Sequence, residues 1–246
     1  MKKEKSGTCQ KKIPDLAHRI VYEDNHLLVI NKWSSEIVQS DKTGDLPLCE
    51  QAKSFLKTKY QKPGQVFCGV VHRLDRPVSG LVLFAKTGKA LARLNKLLQE
   101  RQIRKFYWAL TRQAPPQDAG ILEGFLTRNK RLNKSFFSPT ESPEALSASL
   151  AFKVLHRFDR LTLLEIELFT GRHHQIRASL AFLKCPVAGD VKYGDRRALR
   201  DQSIALHARR LELVHPVSGE RLLLEGPCPS GGIWESVGLC NEGDPY

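Results

Sequence analysis

Short apolar runs separated by turn-forming residues carry most of the pattern in this chain. The segment IVYEDNHLLVINK (20–32) has two such runs around Asp24-Asn25 and predicts the first pair of strands. Residues 48–60, LCEQAKSFLKTKY, space Leu48, Ala52, Phe55 and Leu56 along one helical face, with Asp45 and Pro47 as start signals. GVVHRLDRPVSGLVLF (69–84) then reads as two buried strands parted by a polar segment that bears His72, Arg73, Asp75 and Arg76. A second helix is predicted in KALARLNKLLQERQ (89–102), where Leu91, Leu94, Leu97 and Leu98 form a stripe and Lys89, Arg93 and Lys96 lie outside it. IRKFYWAL (103–110) follows as a strand and is ended by the turn-rich QAPPQDAG.

Residues 129–144, NKRLNKSFFSPTESPE, have no clean period and are expected to form a long surface loop with mobile ends. LTLLEIELFT alternates, with Leu164, Ile166 and Leu168 on one face, and helical spacing takes over in TGRHHQIRASLAFL at Ile176, Leu180 and Leu183. LHARRLELVHPVSGERLLLEGP (206–227) predicts two strands around a Pro-Val-Ser-Gly turn. Strands outnumber helices and adjoin one another through turns, without a βαβ rhythm or an internal repeat. The expected fold is therefore α+β, a largely antiparallel mixed sheet flanked by helices and loops.

Charge changes what this fold is expected to do. The 246 residues carry 39 Lys and Arg against 26 Asp and Glu, a net charge of +13, and are 41% hydrophobic. That balance allows a full core and favours a polyanionic partner, nucleic acid ahead of an anionic membrane. No apolar run reaches the roughly 20 residues of a membrane span, and the opening MKKEKSGTCQKK lacks a signal-peptide core, so the expected location is cytoplasmic. Residues 1–15 read as a basic disordered arm and 16–246 as one catalytic domain. Six scattered cysteines without a C-x-x-C pair point to reduced thiols rather than a zinc site.

Three clusters are candidates for chemistry. In HRLDRPVSG, Asp75 and two arginines lie between core strands; a plain turn would also use Asp75 as a cap and Ser79-Gly80 for a positive φ. In TGRHHQIR the strand-to-helix junction gathers N–H groups with Arg172 and Arg177, which suits an anion, although solvated arginines at a helix start would read the same. His173-His174 lack a carboxylate partner at metal-ligand spacing, so no metal site is expected. In KFYWAL, Phe106 and Trp108 share one strand face while Lys105, Tyr107 and Ala109 share the other; core packing is the plain alternative for Tyr107.

Taken together, these segments resemble the RluA-type pseudouridine synthases. The nucleophile motif H-R-L-D-[RK]-x-[ST]-S-G stands here as His72 to Gly80 with Val78 in place of the Ser or Thr, the tyrosine motif K-x-Y-x-A matches Lys105, Tyr107 and Ala109, and T-G-R-x-H-Q-I-R matches Thr170 to Arg177. YEDNHLLVINK, PVAGDVKYG and LHARRLELVHPVSGE extend the match from about residue 20 to residue 227. The resemblance implies a central RNA-binding cleft, an RNA substrate (ribosomal or transfer RNA), no cofactor, and a monomer with no obligate protein partner.

The resemblance also assigns roles. Asp75 is the nucleophile, Tyr107 stacks on the target uracil or helps to remove its C5 proton, and Arg177 holds Asp75 ionised. Arg73 fills the space left by a flipped nucleotide, and His72, Arg76, Lys105, Arg172, His174 and Gln175 complete the substrate-binding set. Pro77-Val78, Trp33-Ser34-Ser35 and the Ala178-Ser179 pair depart from the family's usual residues and bear on loop shape and substrate fit. The small N-terminal RNA-binding domain of many relatives is expected to be missing. Two other readings compete: an idle RNA-binding or ribosome-assembly protein on the same fold, and a metal-dependent hydrolase built on His72, Asp75, His173 and His174.

Overall fold

Runs such as LLVI and GLVLFA have no polar face to offer water, so they require cover on both sides. The computed structural model, which describes residues 16–239, provides that cover; the expected arm over 1–15 lies outside the described residues, as do Cys9 and Cys240. The elements in chain order are β1 (Ile20–Glu23), β2 (Leu27–Lys32), α1 (Leu48–Lys59), β3 (Gly69–Val70), β4 (Ser79–Ala85), α2 (Gly88–Gln99), β5 (Arg104–Thr111) and β6 (Ala119–Asn129). They continue with β7 (Lys134–Ser138), β8 (Leu146–Arg157), β9 (Thr162–Leu168), α3 (Gln175–Phe182), β10 (Leu206–Val214), β11 (Arg221–Glu225) and α4 (Gly232–Glu235).

One sheet runs in the order β1-β2-β4-β10-β5-β9-β8-β6-β7, with β3 paired to β4 and β11 to β10. Among the described residues every pairing is antiparallel except β4 with β10, so the expected mixed, largely antiparallel α+β sheet is the one observed. Leu28, Ile30, Val82 and Phe84 turn to the face that carries Ala52 and Leu56 of α1. Leu27, Val29, Leu81 and Leu83 turn to the other face and meet Ala90 and Leu94 of α2. The central strands are thus buried on both sides, which is why their sequence does not alternate.

Both early helices match the predicted spans closely. Thr87 caps α2 by accepting the Ala90 N–H at 3.1 Å. Asp45, read as a start signal for α1, does not cap it; Pro47 occupies the N-cap and Asp45 pairs with Arg76 at 2.6 Å. The expectation of a loop over 129–144 is corrected, because β7 lies inside it. Tertiary contacts make that strand: the Ser135 N–H donates to Tyr193 Oη at 2.8 Å, and Phe137 packs on Phe182 of α3 with ring centroids 5.0 Å apart. Among the described residues no helix is long and apolar enough to cross a membrane.

Candidate active site

The polar segment between β3 and β4 is held from every side. Ser79 donates to His207 Nδ1 at 2.9 Å, while His207 Nε2 donates to the Gly226 carbonyl at 3.1 Å. Gly80 has φ +113, and a Cβ there would lie 2.4 Å from the Ala208 nitrogen, so only glycine allows the parallel β4–β10 contact. His72 Nε2 accepts the Leu83 N–H at 3.2 Å, and burial pushes its pKa down to about 3. The backbone of Arg76 is fixed as well: its carbonyl accepts from the Ser35 N–H at 2.8 Å and from Lys32 Nζ at 3.2 Å. Lys32 is wholly buried, donates also to the carbonyls of Trp33 and Glu36, and burial draws its pKa to about 7.

On this base Asp75 projects with its side chain 29% exposed. Arg177 Nη1 donates to Asp75 Oδ2 at 3.2 Å. The same guanidinium grips Asp190 through Nε at 2.6 Å and Nη2 at 2.9 Å. Arg177 and Asp190 are both buried, so this fork fixes the arginine before any substrate arrives. Burial opposes the Arg177 charge, but Asp190 and Asp75 outweigh it and raise its pKa.

The start of α3 is unusual. His174 occupies the N-cap with φ +54, a left-handed conformation, and has no side-chain capping bond there. Gln175 takes over the organisation: its Oε1 accepts from Thr170 Oγ1 at 2.9 Å and from the Arg172 N–H at 3.0 Å, while its Nε2 donates to the Ser149 carbonyl at 3.1 Å. His174 Nε2 lies 3.4 Å from Asp75 Oδ2, and its Nδ1 lies 3.0 Å from Tyr193 Oη. His173 stacks on His174 at 3.8 Å and reaches Ser135 Oγ at 2.9 Å. Among the described residues no group of three or more His, Cys, Asp or Glu is arranged to hold a metal ion.

Strand β5 brings the third segment. The expected division of faces holds, since Arg210 lies 4.0 Å over Phe106 and Arg209 4.6 Å over Trp108, while Lys105 and Tyr107 line the cleft beside Asp75. Burial raises the Tyr107 pKa, and the nearby Asp75 charge adds to it, so the phenol stays protonated. Burial lowers the Lys105 pKa, and among the described residues no carboxylate pairs with its ammonium.

One cleft of about 880 Å³ is lined by all ten residues singled out from the sequence: His72, Arg73, Asp75, Arg76, Lys105, Tyr107, Arg172, His174, Gln175 and Arg177. They differ in what they have left to offer. Arg73 is exposed, and among the described residues it makes no ion pair. Arg76 is held by Asp45 at 2.6 Å and by Thr43 Oγ1 at 2.7 Å. Sequence reasoning missed Asp190, Tyr193, Ser135 and Lys32 as parts of the site. The stretch PVAGDVKYG was noticed, but nothing in its spacing joined Asp190 to Arg177.

A carboxylate held by an arginine thus lies beside an aromatic ring in a cleft lined by several cations. The family described as RNA pseudouridylate synthase matches residues 26–182. The ribosomal large subunit pseudouridine synthase C of Vibrio cholerae is 31% identical over 227 residues, covering 90% of this chain and 69% of that protein. Its counterpart in Escherichia coli is 33% identical over 233 residues, covering 89% and 69%. The solved structure of human RNA pseudouridylate synthase domain containing 4 superposes with a TM-score of 0.76 at 27% identity, covering 87% of this chain and 90% of that one. With a family match over most of its sheet and relatives along nearly its whole length, the chain belongs to the RNA pseudouridine synthases, isomerases that act on RNA.

Proposed function

We propose that the protein converts a uridine of structured ribosomal RNA to pseudouridine, with Asp75 acting on ribose C1′ and no cofactor taking part. The observation that carries this reading is the meeting of Asp75, Tyr107 and Arg177 at one cleft from three separate segments, with Asp75 Oδ2 3.2 Å from Arg177 Nη1. The reaction breaks the N1–C1′ bond, turns the base and joins C5 to C1′; C5 gives up its proton and N1 regains one. A carboxylate suits the first step because it stabilises, or adds to, the sugar carbon as the base leaves. Tyr107, a protonated phenol on a strand, supports a stacking surface for the uracil.

A paired uridine reaches Asp75 only after flipping out of its helix, at a cost of a few kcal/mol. Arg73, exposed on the rigid loop, is the side chain available to fill the gap. Ribosomal RNA is favoured over transfer RNA because the relatives described above are named for the large ribosomal subunit.

The test is incubation of the purified protein with unmodified ribosomal RNA and transfer RNA, with and without a chelator, followed by mapping of pseudouridine. The expected result is product in ribosomal RNA at a rate the chelator leaves unchanged. Absence of pseudouridine in every RNA would overturn the reading, and product in transfer RNA alone would change the substrate. Loss of activity with chelator, restored by zinc, would bring a metal into the chemistry.

A further inference from the structure

Arg177 donates to one oxygen of Asp75, and His174 lies beside that same oxygen. Arg177 Nη1 lies 3.2 Å from Oδ2 and His174 Nε2 lies 3.4 Å from it, whereas Oδ1 has no partner among the described residues. Behind His174 a chain of contacts runs through buried space: Tyr193 Oη lies 3.0 Å from His174 Nδ1 and accepts the Ser135 N–H at 2.8 Å. His174, Tyr193 and Ser135 are all buried.

The chemistry of the two ends decides where the protons sit. Tyr193 Oη already accepts from Ser135, so its own proton is free to go to His174 Nδ1. That leaves the neutral imidazole with its proton on Nε2, facing a carboxylate. The opposite tautomer would set a nitrogen lone pair against Asp75 Oδ2 and leave the Tyr193 hydroxyl proton without a partner. Burial, with the Arg177 charge adding to it, draws the His174 pKa down to about 2, which agrees with a neutral ring.

We propose that Tyr193 and His174 are positioning residues which, together with Arg177, hold Asp75 by Oδ2 and leave Oδ1 as the oxygen that meets the substrate. The inference rests on the reading of Asp75 as the group that acts on the sugar. A single donor leaves a carboxylate able to turn about its Cβ–Cγ bond, while an N–H dipole placed on another side of the same oxygen restrains that turn. Because His174 is neutral, it adds this second contact without adding a second positive charge.

Two measurements test the chain. Nitrogen NMR of the histidine rings in the full-length wild-type protein should find His174 neutral and protonated on Nε2; a ring protonated on Nδ1, or on both nitrogens, would overturn the proposal whatever the variants do. Single-turnover rates at saturating RNA should fall about tenfold in Tyr193→Phe and at least as far in His174→Leu. The double variant should be no slower than His174→Leu alone, because Tyr193 acts through His174. His174→Gln, whose amide keeps an N–H in reach of Asp75, should recover part of the rate. Additive losses, equal rates for the Gln and Leu variants, or wild-type rates throughout would each overturn the chain. A wild-type protein that forms no pseudouridine would overturn the underlying reading instead, and it is recognised separately because the NMR spectrum needs no turnover.

Discussion

Arg177 serves two carboxylates with one guanidinium, and they do not fail alike when it is removed. Asp75 is partly exposed, whereas the Asp190 side chain is 1% exposed. Arg177→Met therefore leaves an unpaired buried charge, and breaking such a pair costs about 3–5 kcal/mol. The expected outcome is a lower urea midpoint as well as a slower chemical step; adding Asp190→Asn to Arg177→Met should restore much of the midpoint and none of the rate. Asp75, Tyr107 and Arg177 were legible in the sequence because each sits in a short motif with fixed neighbours. Asp190 was not, since it follows Arg177 by 13 positions beyond the end of α3, and only the fold turns it back. Arg76, read as part of the substrate-binding set, is also held by Asp45 and Thr43, and the loop that carries them was too irregular to announce that contact.

At the scale of elements, one ionic corner ties α1 to the sheet. Glu23 at the end of β1 accepts from Lys59 Nζ at 2.6 Å, Tyr60 Oη at 2.7 Å and Lys86 Nζ at 2.7 Å. Burial works to raise the Glu23 pKa from 4.5, but hydrogen bonds from Lys59, Lys86 and Tyr60 overcome it and bring the value to about 2. The folded-state pKa is depressed, so this stability is present above the unfolded value and disappears as pH falls toward 2. Glu23→Gln should lower the urea midpoint at neutral pH, and its difference from wild type should shrink as the pH is taken below about 4.5. The helices and the central strands were legible because their apolar spacing matches what they bury. β6 and β8 went unread: their outer ends face water, with Ile121 65% and Leu146 53% exposed, so hydrophobic contrast is weak where pairing with β7 and β9 holds them.

The whole molecule combines a basic surface with histidines kept neutral inside it. With a net charge of +13, RNA binding should weaken by roughly 0.7 log units per log unit of salt for each single-strand phosphate neutralised, and a flat titration would contradict a phosphate-led interface. Burial is the leading cause that lowers the pKa values of His72, His174 and His207, to about 3, 2 and 4. An unfolded chain binds protons at these rings below about pH 6.5 and the folded one does not, so these rings make stability fall as pH drops. Urea midpoints taken between neutral pH and about pH 5 check the sign. The central claim, that Asp75 carries out the chemistry rather than holding the fold or the RNA, has a clean probe, because in Asp75→Asn the Arg177 guanidinium keeps its Asp190 fork and the site stays charge-paired. The decisive measurement is single-turnover pseudouridine formation by this variant on an RNA whose affinity for both proteins is measured in parallel. The account predicts an RNA affinity like that of wild type with no product, whereas near-normal turnover, or a loss of binding as large as the loss of rate, would contradict it.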